Sequence, residues 1–355
     1  MDDHFHTPGK SRDARPMVFL VALLAGGACG VMVPMTRSLS SHSSRKRALR
    51  SGTGQLNGVA QADYSVPITL GGDQTFNLII DTGSSTMALP ASADAGCLPF
   101  FQPRTGACDG GYHNNSYGDG SWFTGRVCHD IPVSIGGLSA GMPKFLGIVA
   151  SGNGFFSNCD ISKATNNEGI LGLAYKGLIP DVPYRPLFDS VVSHSAGTPG
   201  QVADVFSMQC CGASIGPDGV PVGSGVLVLG EPIDGSQPAD AVSGLFTGEV
   251  MYTPIVEETY FCVNMNAVSA GVNSNIDEPN YYYSYGSEYG EKGLQRCPTI
   301  IDSGTSAIQL VPKLYAAAIK PIIAVRGDGP RTAQGLPYPP AVCGRRHARA
   351  AALPP

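Results

Sequence analysis

Polar and apolar residues alternate in short runs along the chain, and this period of two predicts β-strands. Residues 62–70 form one such run, and Gly71-Gly72-Asp73 follows it as a turn signal. Residues 76–80 form a second strand, which ends directly before Asp81. The pattern therefore predicts a strand, a turn and another strand that delivers an acidic side chain.

Other patterns add a hairpin and two helices. Residues 117–127 predict a hairpin with Gly118-Asp119-Gly120 in its turn. Apolar residues recur at helical spacing in residues 186–195, and residues 312–325 predict a second helix. Gly and Pro are plentiful, at 46 and 28, while charged residues make up 14%. Gly- and Pro-rich turns between short β-branched runs favour an all-β fold over a helical bundle or an α/β fold.

One short motif occurs twice, as Ile-Ile-Asp-Thr-Gly-Ser-Ser in residues 79–85 and as Ile-Ile-Asp-Ser-Gly-Thr-Ser in residues 300–306. In each copy a strand end precedes the Asp, the Gly permits a sharp turn, and the hydroxyls can donate hydrogen bonds to a carboxylate. Two such turns facing each other would place Asp81 and Asp302 in one site. Carboxyls that close share a proton, so one can act as a base toward water and the other as an acid toward a carbonyl.

The two motifs resemble the paired Asp-Thr/Ser-Gly-Thr/Ser signatures of the pepsin-like aspartic proteases. Residues 117–121 resemble the flap hairpin that closes over substrate in that family. Residues 168–175 resemble the apolar-apolar-Gly segment that braces the first aspartate loop, and residues 226–230 resemble the strand that leads to the lobe junction. The resemblance runs from about residue 61 to about residue 320 and implies an all-β, bilobal pepsin-like fold.

The resemblance also assigns roles to individual residues. Asp81 and Asp302 would be the catalytic pair, and Tyr117 would be the flap tyrosine that covers the site. The flap turn would be Gly118, Asp119 and Gly120. Three further pairs of residues would support the carboxyls. Thr82 and Ser303 would lock the two loops together, and Gly83 and Gly304 would allow close backbone approach. Ser84 and Thr305 would bind the outer carboxylate oxygens.

One position departs from the family pattern. Ala88 lies where these proteases often have a Trp that hydrogen-bonds the flap tyrosine. The only Trp of this chain, Trp122, lies within the flap instead. We therefore expect that Tyr117 has another partner or that the flap is looser.

Composition divides the chain into four parts. Residues 1–50 predict a tail with a signal or anchor segment and a basic linker, and residues 51–240 predict the first β lobe with Asp81 and the flap. Residues 241–325 predict a partial second lobe with Asp302, and residues 326–355 predict a disordered tail. Because the second lobe is incomplete and lacks a brace after Asp302, we expect impaired activity, and we favour a truncated or misjoined gene model as the explanation.

The N-terminal region predicts entry into the secretory pathway. Basic residues precede an apolar run at residues 17–33, which suits either a cleaved signal or a retained membrane anchor. Arg45-Lys46-Arg47 indicates either a solvated linker or a processing site. The expected location is therefore secreted, vacuolar or lysosomal, or membrane-anchored.

The chain contains ten Cys, which in a secretory protein predict disulfides. Cys97 and Cys108 bracket a single loop and are predicted to pair. Two further pairings are hypotheses, Cys128 with Cys159 and Cys262 with Cys297. The adjacent Cys210 and Cys211 are expected to have different fates.

The leading hypothesis for function is an acid endopeptidase that hydrolyses peptides or proteins with no cofactor and no metal. We expect a monomer. The net charge of −5 gives no indication of nucleic-acid binding. One alternative is a non-catalytic pepsin-like protein that binds peptides or persists as an inactive fragment. Another is a sugar-kinase- or actin-like phosphotransferase, whose nucleotide loops can also contain Asp-x-Gly-Thr. That alternative needs alternating strands and helices, which the β-rich pattern disfavours.

Overall fold

The computed structural model describes residues 50–59, 63–157, 159, 167–215, 221–230, 253–263, 297, 299–305, 308–310 and 315. Strands predominate in these ranges, so the prediction of an all-β fold is confirmed and the phosphotransferase alternative is wrong. The strands of the larger sheet are β1 (Gly52–Val59), β2 (Asp63–Leu70), β3 (Gln74–Asp81), β4 (Met87–Pro90), β5 (Tyr112–Ser116), β6 (Trp122–Cys128), β7 (Val133–Ile135), β8 (Leu138–Ser139), β9 (Phe145–Gly152), β10 (Ile170–Gly172), β11 (Phe206–Ile215) and β12 (Pro221–Leu229).

Helix is confined to short pieces in the described ranges. The α-helix α1 (Leu187–Ser195) agrees with the prediction for residues 186–195, and two 3₁₀ turns span Ala93–Ala95 and Lys176–Leu178. The helix predicted at residues 312–325 lies outside the described residues except for Tyr315. The predictions for residues 1–49 and 326–355 also lie outside them. Within the described part of the chain, no helix is long and apolar enough to cross a bilayer.

The larger sheet has the strand order β11-β12-β1-β2-β3-β10-β4-β9-β6-β5, with β7 and β8 attached beside β2. The short strand β10 lies between β3 and β4, parallel to β3 and antiparallel to β4. The turn after Asp81 must therefore cross over the end of β10 to reach β4. This topology fixes the turn against a strand from a distant part of the sequence.

The core residues of β2 and β3 follow the alternation seen in the sequence. Val66, Ile68 and Leu70 of β2 are buried, as are Phe76, Leu78 and Ile80 of β3. Each such side chain contributes about 1.5–3 kcal/mol to folding relative to its exposed state. Register is thereby specified, because a slip of one residue would turn the apolar set of β3 outward and misplace Asp81.

A smaller sheet delivers the second aspartate. Its strands are β13 (Glu257–Glu258), β14 (Phe261–Val263) and β15 (Thr299–Ile300), and they pair in that order. The backbone N–H of Ile301 extends the pairing by donating to the carbonyl of Phe261 at 3.1 Å. The Phe261 ring packs 4.9 Å from that of Tyr175, so this sheet is joined to the core beneath the larger one.

Two of the three disulfide predictions are wrong. Cys97 pairs with Cys159 and Cys108 with Cys128, whereas the hypothesis of a Cys262–Cys297 pair is confirmed. The segment before β5 runs back along the end of β6, since His129 donates its backbone N–H to Ala107 at 2.8 Å. That pairing places Cys108 beside Cys128. Proximity along the sequence, on which the prediction relied, did not decide the partner. Cys210 is a free thiol.

Candidate active site

The carboxyl of Asp81 is held by the turn that follows it. Asp81 is the last residue of β3 and only 4% exposed. The backbone N–H of Gly83 donates to its Oδ1 at 2.8 Å, and the Ser84 hydroxyl donates to its Oδ2 at 2.5 Å. Both oxygens therefore have a fixed donor, which sets the rotation of the carboxyl.

The carboxyl of Asp302 has the same pair of donors. Gly304 donates its backbone N–H to Oδ1 at 2.8 Å, and the Thr305 hydroxyl donates to Oδ2 at 2.5 Å. The two copies of the motif thus fold into two equivalent turns, as their sequences suggested.

The two turns are locked to each other by the residues after the aspartates. Thr82 accepts a hydrogen bond on its hydroxyl from the Ser303 backbone N–H at 2.8 Å, and the Ser303 hydroxyl accepts one from the Thr82 N–H at 3.1 Å. Each hydroxyl also donates to a carbonyl of the opposite strand, Thr82 to Ile301 at 2.9 Å and Ser303 to Ile80 at 2.6 Å. Four hydrogen bonds therefore join segments that are more than two hundred residues apart in sequence.

Each carboxyl lies against the glycine of the other turn. A Cβ atom added to Gly83 would lie 2.6 Å from the carboxylate atoms of Asp302, and one added to Gly304 would lie 2.5 Å from Oδ1 of Asp81. No side chain could occupy either position without displacing a carboxyl. The glycines are therefore required by close approach across the site.

Burial and the neighbouring carboxyl make Asp81 difficult to ionise. Loss of solvent and then the charge of Asp302 raise the pKa of Asp81 to about 7, although hydrogen bonds from Ser84 and Gly83 oppose the rise. The Asp302 carboxyl lies close enough to that of Asp81 to influence its ionisation directly. This arrangement is suited to holding one proton between two carboxyls over an acidic pH range.

Strand β10 supports the first turn from behind. Leu173 donates its backbone N–H to the carbonyl of Asp81 at 2.8 Å, directly after the paired strands. A Cβ atom on Gly172 would lie 2.3 Å from the Thr86 nitrogen, so the turn passes directly over this glycine. The segment predicted to brace the first aspartate loop therefore lies against it.

The predicted flap is the hairpin of β5 and β6. Its turn is closed by the Tyr117 N–H, which donates to the Ser121 carbonyl at 2.9 Å, and by the Ser121 N–H, which donates to Asp119 Oδ1 at 2.8 Å. Gly120 has a φ of +85°, which favours glycine. Gly118 is exposed at the tip. The hairpin begins at Tyr112, earlier than predicted, because the polar residues of β5 conceal its strand pattern.

Tyr117 at the base of the flap turn faces the aspartates. Burial, followed by the charge of Asp81, raises the pKa of its phenol, and the Ser84 hydroxyl approaches closely enough to oppose part of this rise. The Tyr117 ring stacks on Phe155 at 5.7 Å and lies 6.2 Å from Phe123. Tyr117 thus lies beside the carboxyl of Asp81 together with these aromatic neighbours.

The departure at position 88 has a structural counterpart. Ala88 is wholly buried on β4, where it lies opposite Ile170 of β10. Trp122 is 38% exposed and its ring lies over Gly152 of β9, since a Cβ atom there would meet the ring at 2.6 Å. Tyr117 therefore contacts a set of residues that the motif comparison did not identify.

Sequence reasoning missed the aromatic residues around the flap. The rings of Phe155 and Phe156 are in contact, with centroids 4.8 Å apart. Tyr184 lies close to both Tyr117 and Thr86. An adjacent aromatic pair after the turn residues Asn153-Gly154 was the available signal for the first two. Tyr184 offered no signal, because its segment carries no periodic pattern.

The described residues contain no group of three or more His, Cys, Asp or Glu side chains arranged to hold a metal ion. The arrangement around Asp81 and Asp302 instead offers two carboxyls, two sets of fixed donors and a cover formed by the flap. Such a site can activate water and polarise a carbonyl by proton transfer.

Comparison with known proteins agrees with this geometry. Residues 63–329 match the family model described as eukaryotic aspartyl protease. The chain is 26% identical over 262 residues to a beta-secretase of Strongylocentrotus purpuratus, an alignment covering 72% of this chain and 44% of that protein. It is 35% identical over 142 residues to penicillopepsin-1 of Penicillium janthinellum, covering 38% and 42% of the two chains. An aspartic protease of Phaffia rhodozyma is 28% identical over 221 residues, covering 60% and 46%. The chain thus spans less than half the length of each of these relatives.

Proposed function

The chain belongs to the eukaryotic aspartyl protease family, and we propose that it hydrolyses peptide bonds with a water activated between Asp81 and Asp302. The observation that carries this proposal is the reciprocal contact of the two turns. Each carboxyl lies against the opposite glycine while its own turn donates to both of its oxygens. Preorganised carboxyls of this kind supply an acid and a base without rearrangement during the reaction.

The proposed reaction divides one proton between the two carboxyls. The ionised carboxyl accepts a proton from water as the water oxygen attacks the carbonyl carbon of the substrate. The protonated carboxyl donates its proton to the carbonyl oxygen, which gives a neutral tetrahedral diol. Proton transfer to the amide nitrogen and cleavage of the C–N bond then release an amine and a carboxylic acid. No covalent bond to the protein forms, and the pair returns to its initial proton count.

The surroundings of the site support an extended peptide with bulky apolar side chains as the substrate. The rings of Phe155 and Phe156 are only partly buried, and Phe155 stacks on Tyr117 beside the aspartates. An apolar side chain placed next to the cleaved bond would cover these rings. Its burial would contribute about 25 cal/mol for each Å² removed from water. The flap would then exclude water from the proton transfers.

The test is cleavage of a peptide library by the full chain at acid pH. The matched controls are Asp81→Asn and Asp302→Asn, which keep side-chain shape and remove the acid. We expect cleavage that falls by orders of magnitude in both variants, with apolar residues flanking the cut. Cleavage that persists in Asp81→Asn, or binding of peptides without any cleavage by the unaltered chain, would contradict the proposal.

We propose the secretory pathway as the compartment and a monomer as the working form. The three disulfides among the described residues support an oxidising compartment, such as the secretory or vacuolar one. Residues 17–33 would provide either a cleaved signal or a membrane anchor. Fractionation of cells with carbonate extraction, followed by N-terminal sequencing of the mature protein, distinguishes these two outcomes.

A further inference from the structure

Tyr117 rests on a small apolar cluster that is separate from the main core. The buried members of this flap cluster include Ala88, Phe123, Ile170 and Tyr184, and Tyr117 packs against it with its partly buried ring. Position 88 contributes only a methyl group. The space between β4 and the flap must therefore be filled by side chains from other elements.

Tyr184 comes from the segment between the second 3₁₀ turn and α1, and it is 5% exposed. Its ring meets that of His113 edge-on, with centroids 5.6 Å apart and an angle of 81° between the planes. His113 lies on β5, the strand that leads into Tyr117. Tyr184 thus contacts the flap hairpin from the body of the protein.

The hydroxyl end of Tyr184 is directed toward the first aspartate turn. Burial raises the pKa of its phenol, and the Thr86 hydroxyl approaches closely enough to oppose this rise. Thr86 is buried at the end of the turn that holds Asp81. The same phenol lies near enough to Tyr117 to affect that residue's ionisation. One side chain therefore connects the aspartate turn with the flap.

A lysine clamp fixes the segment that carries Tyr184. The Lys176 ammonium donates three hydrogen bonds to backbone carbonyls, at 2.6 Å to Ile179, 2.9 Å to Val182 and 2.8 Å to Tyr184. All three of its protons thereby have an acceptor, and the segment is closed into a compact loop. The backbone of Tyr184 is held at the point from which its ring reaches the flap cluster.

We propose that Tyr184 is the positioning residue that holds Tyr117 and the flap over the aspartates, filling the space left by the small side chain of Ala88. This inference rests on the proposed function, because the flap matters only where a substrate is enclosed. Tyr184 does not touch the reacting atoms and acts through Tyr117. Its loss should therefore loosen the flap and weaken substrate capture while the two aspartate turns remain intact.

The first experiment measures amide hydrogen exchange by mass spectrometry in the full chain and in Tyr184→Ala. We expect exchange to rise about tenfold or more in the hairpin, residues 112–128, and to stay unchanged in residues 63–80. Leu98→Ala is the control, since it removes an exposed apolar side chain outside the hairpin and should leave exchange in both segments unchanged. An increase spread equally over both segments would overturn the proposal, because it would mean that Tyr184 only fills a core. If Tyr184→Ala does not fold, Tyr184→Leu keeps part of the volume and takes its place.

The second experiment separates KM from kcat for peptide cleavage at acid pH. We expect about a tenfold rise in KM for Tyr184→Ala, a smaller change in kcat, and unaltered values for Leu98→Ala. A fall in kcat with KM unchanged would overturn the positioning role. If the unaltered chain cleaves no peptide, the proposed function fails, whereas the exchange experiment still decides the role of Tyr184.

The third experiment tests whether the side chains at positions 88 and 184 share one space, by combining two substitutions that together conserve volume. Ala88→Phe alone overpacks the flap cluster, and Tyr184→Ala alone empties it, but the double variant keeps the total volume nearly constant. We expect the double variant to recover slow hairpin exchange relative to either single variant. Effects that simply add would mean that the two positions do not share a space, which would overturn this part of the proposal.

Discussion

Thr82 and Ser303 hold each other's backbone: each hydroxyl accepts a hydrogen bond from the other residue's N–H, at 2.8 and 3.1 Å. Each hydroxyl also donates to a carbonyl of the opposite strand. A single side chain therefore satisfies one donor and one acceptor of the other turn. The position of one aspartate depends on the other through these bonds.

This relationship predicts strong coupling between substitutions at the two positions. Thr82 is wholly buried, so Thr82→Val leaves the N–H of Ser303 and the carbonyl of Ile301 unsatisfied at a cost of about 1–3 kcal/mol each. Ser303→Ala has the same effect on the other turn. We expect both single variants to lose stability in urea unfolding. The double variant should lose about 0.5–3 kcal/mol less than the sum of the two single losses.

Ser157→Ala, an exposed hydroxyl in a turn, is the control and should change little. Strict additivity of the Thr82 and Ser303 effects would show that the two hydroxyls act independently.

Replacing either glycine of the duplicated motif by alanine is expected to reduce activity while leaving the fold nearly unchanged. Gly83→Ala places a methyl group within 2.6 Å of the Asp302 carboxylate, and Gly304→Ala places one within 2.5 Å of Asp81. The carboxyl must move by about 1 Å, and a misplacement of that size costs on the order of 10²-fold in rate. The measurement is kcat/KM at acid pH beside the melting temperature.

Gly111→Ala serves as the control, because a Cβ atom there meets nothing within 4 Å. If Gly83→Ala and Gly111→Ala were equally active, the close approach of the two turns would have no catalytic importance.

The sequence predicted the parts of this protein that depend on local pattern. The alternation in β2 and β3 indicated the strands, and the duplicated motif indicated that Asp81 and Asp302 lie together. The features that local pattern did not predict depend on tertiary contacts. Tyr184 reaches the flap only because Lys176 closes its loop by hydrogen bonds to backbone carbonyls, which no side-chain pattern records.

The disulfides show the same limit. Cys108 pairs with Cys128 because the segment around Ala107 runs along the end of β6, a register that depends on the folded hairpin. Cys97 then pairs with Cys159, which follows the end of β9 at Gly152.

The two disulfides predict unequal losses of stability. The Cys97–Cys159 bond closes a loop of sequence separation 62, and the Cys108–Cys128 bond closes one of 20. If a disulfide acts mainly by restricting the unfolded chain, the longer loop contributes about 4 kcal/mol and the shorter about 3 kcal/mol. Replacing both cysteines of a pair by Ala should therefore lower stability more for Cys97 with Cys159. Urea unfolding of both variants provides the comparison.

The control for this comparison is Cys210→Ala, which removes a free thiol and should leave the unfolding free energy within about 0.5 kcal/mol. Peptide mapping without reduction checks the pairing itself. A linked peptide containing both Cys97 and Cys108 would contradict the structure.

The raised pKa of Asp81 predicts that stability falls as the pH rises from about 4 to about 6.5. The folded protein keeps a proton on this carboxyl, with a pKa of about 7, whereas the unfolded chain releases it near 3.8. Folding therefore takes up a proton in this range, and the stability that this proton provides is present below the unfolded pKa and is lost as pH approaches the folded one. We expect the melting temperature to decline across this range and the decline to flatten in Asp81→Asn, which needs no proton.

Other groups with shifted pKa values affect stability outside the pH range of about 4 to about 6.5 that Asp81 governs. His129, held between Asp109 and Asp130, has a raised pKa, so its contribution is lost only above its ordinary value of 6.5. Asp109 and Asp119 have lowered pKa values, so their contributions are lost only as the pH falls below about 3.8. Asp94→Asn, at an exposed carboxyl, is the matched control and should keep the decline of the unaltered chain. A decline that persists unchanged in Asp81→Asn would mean that another group takes up the proton and that the aspartate pair does not hold one between its carboxyls.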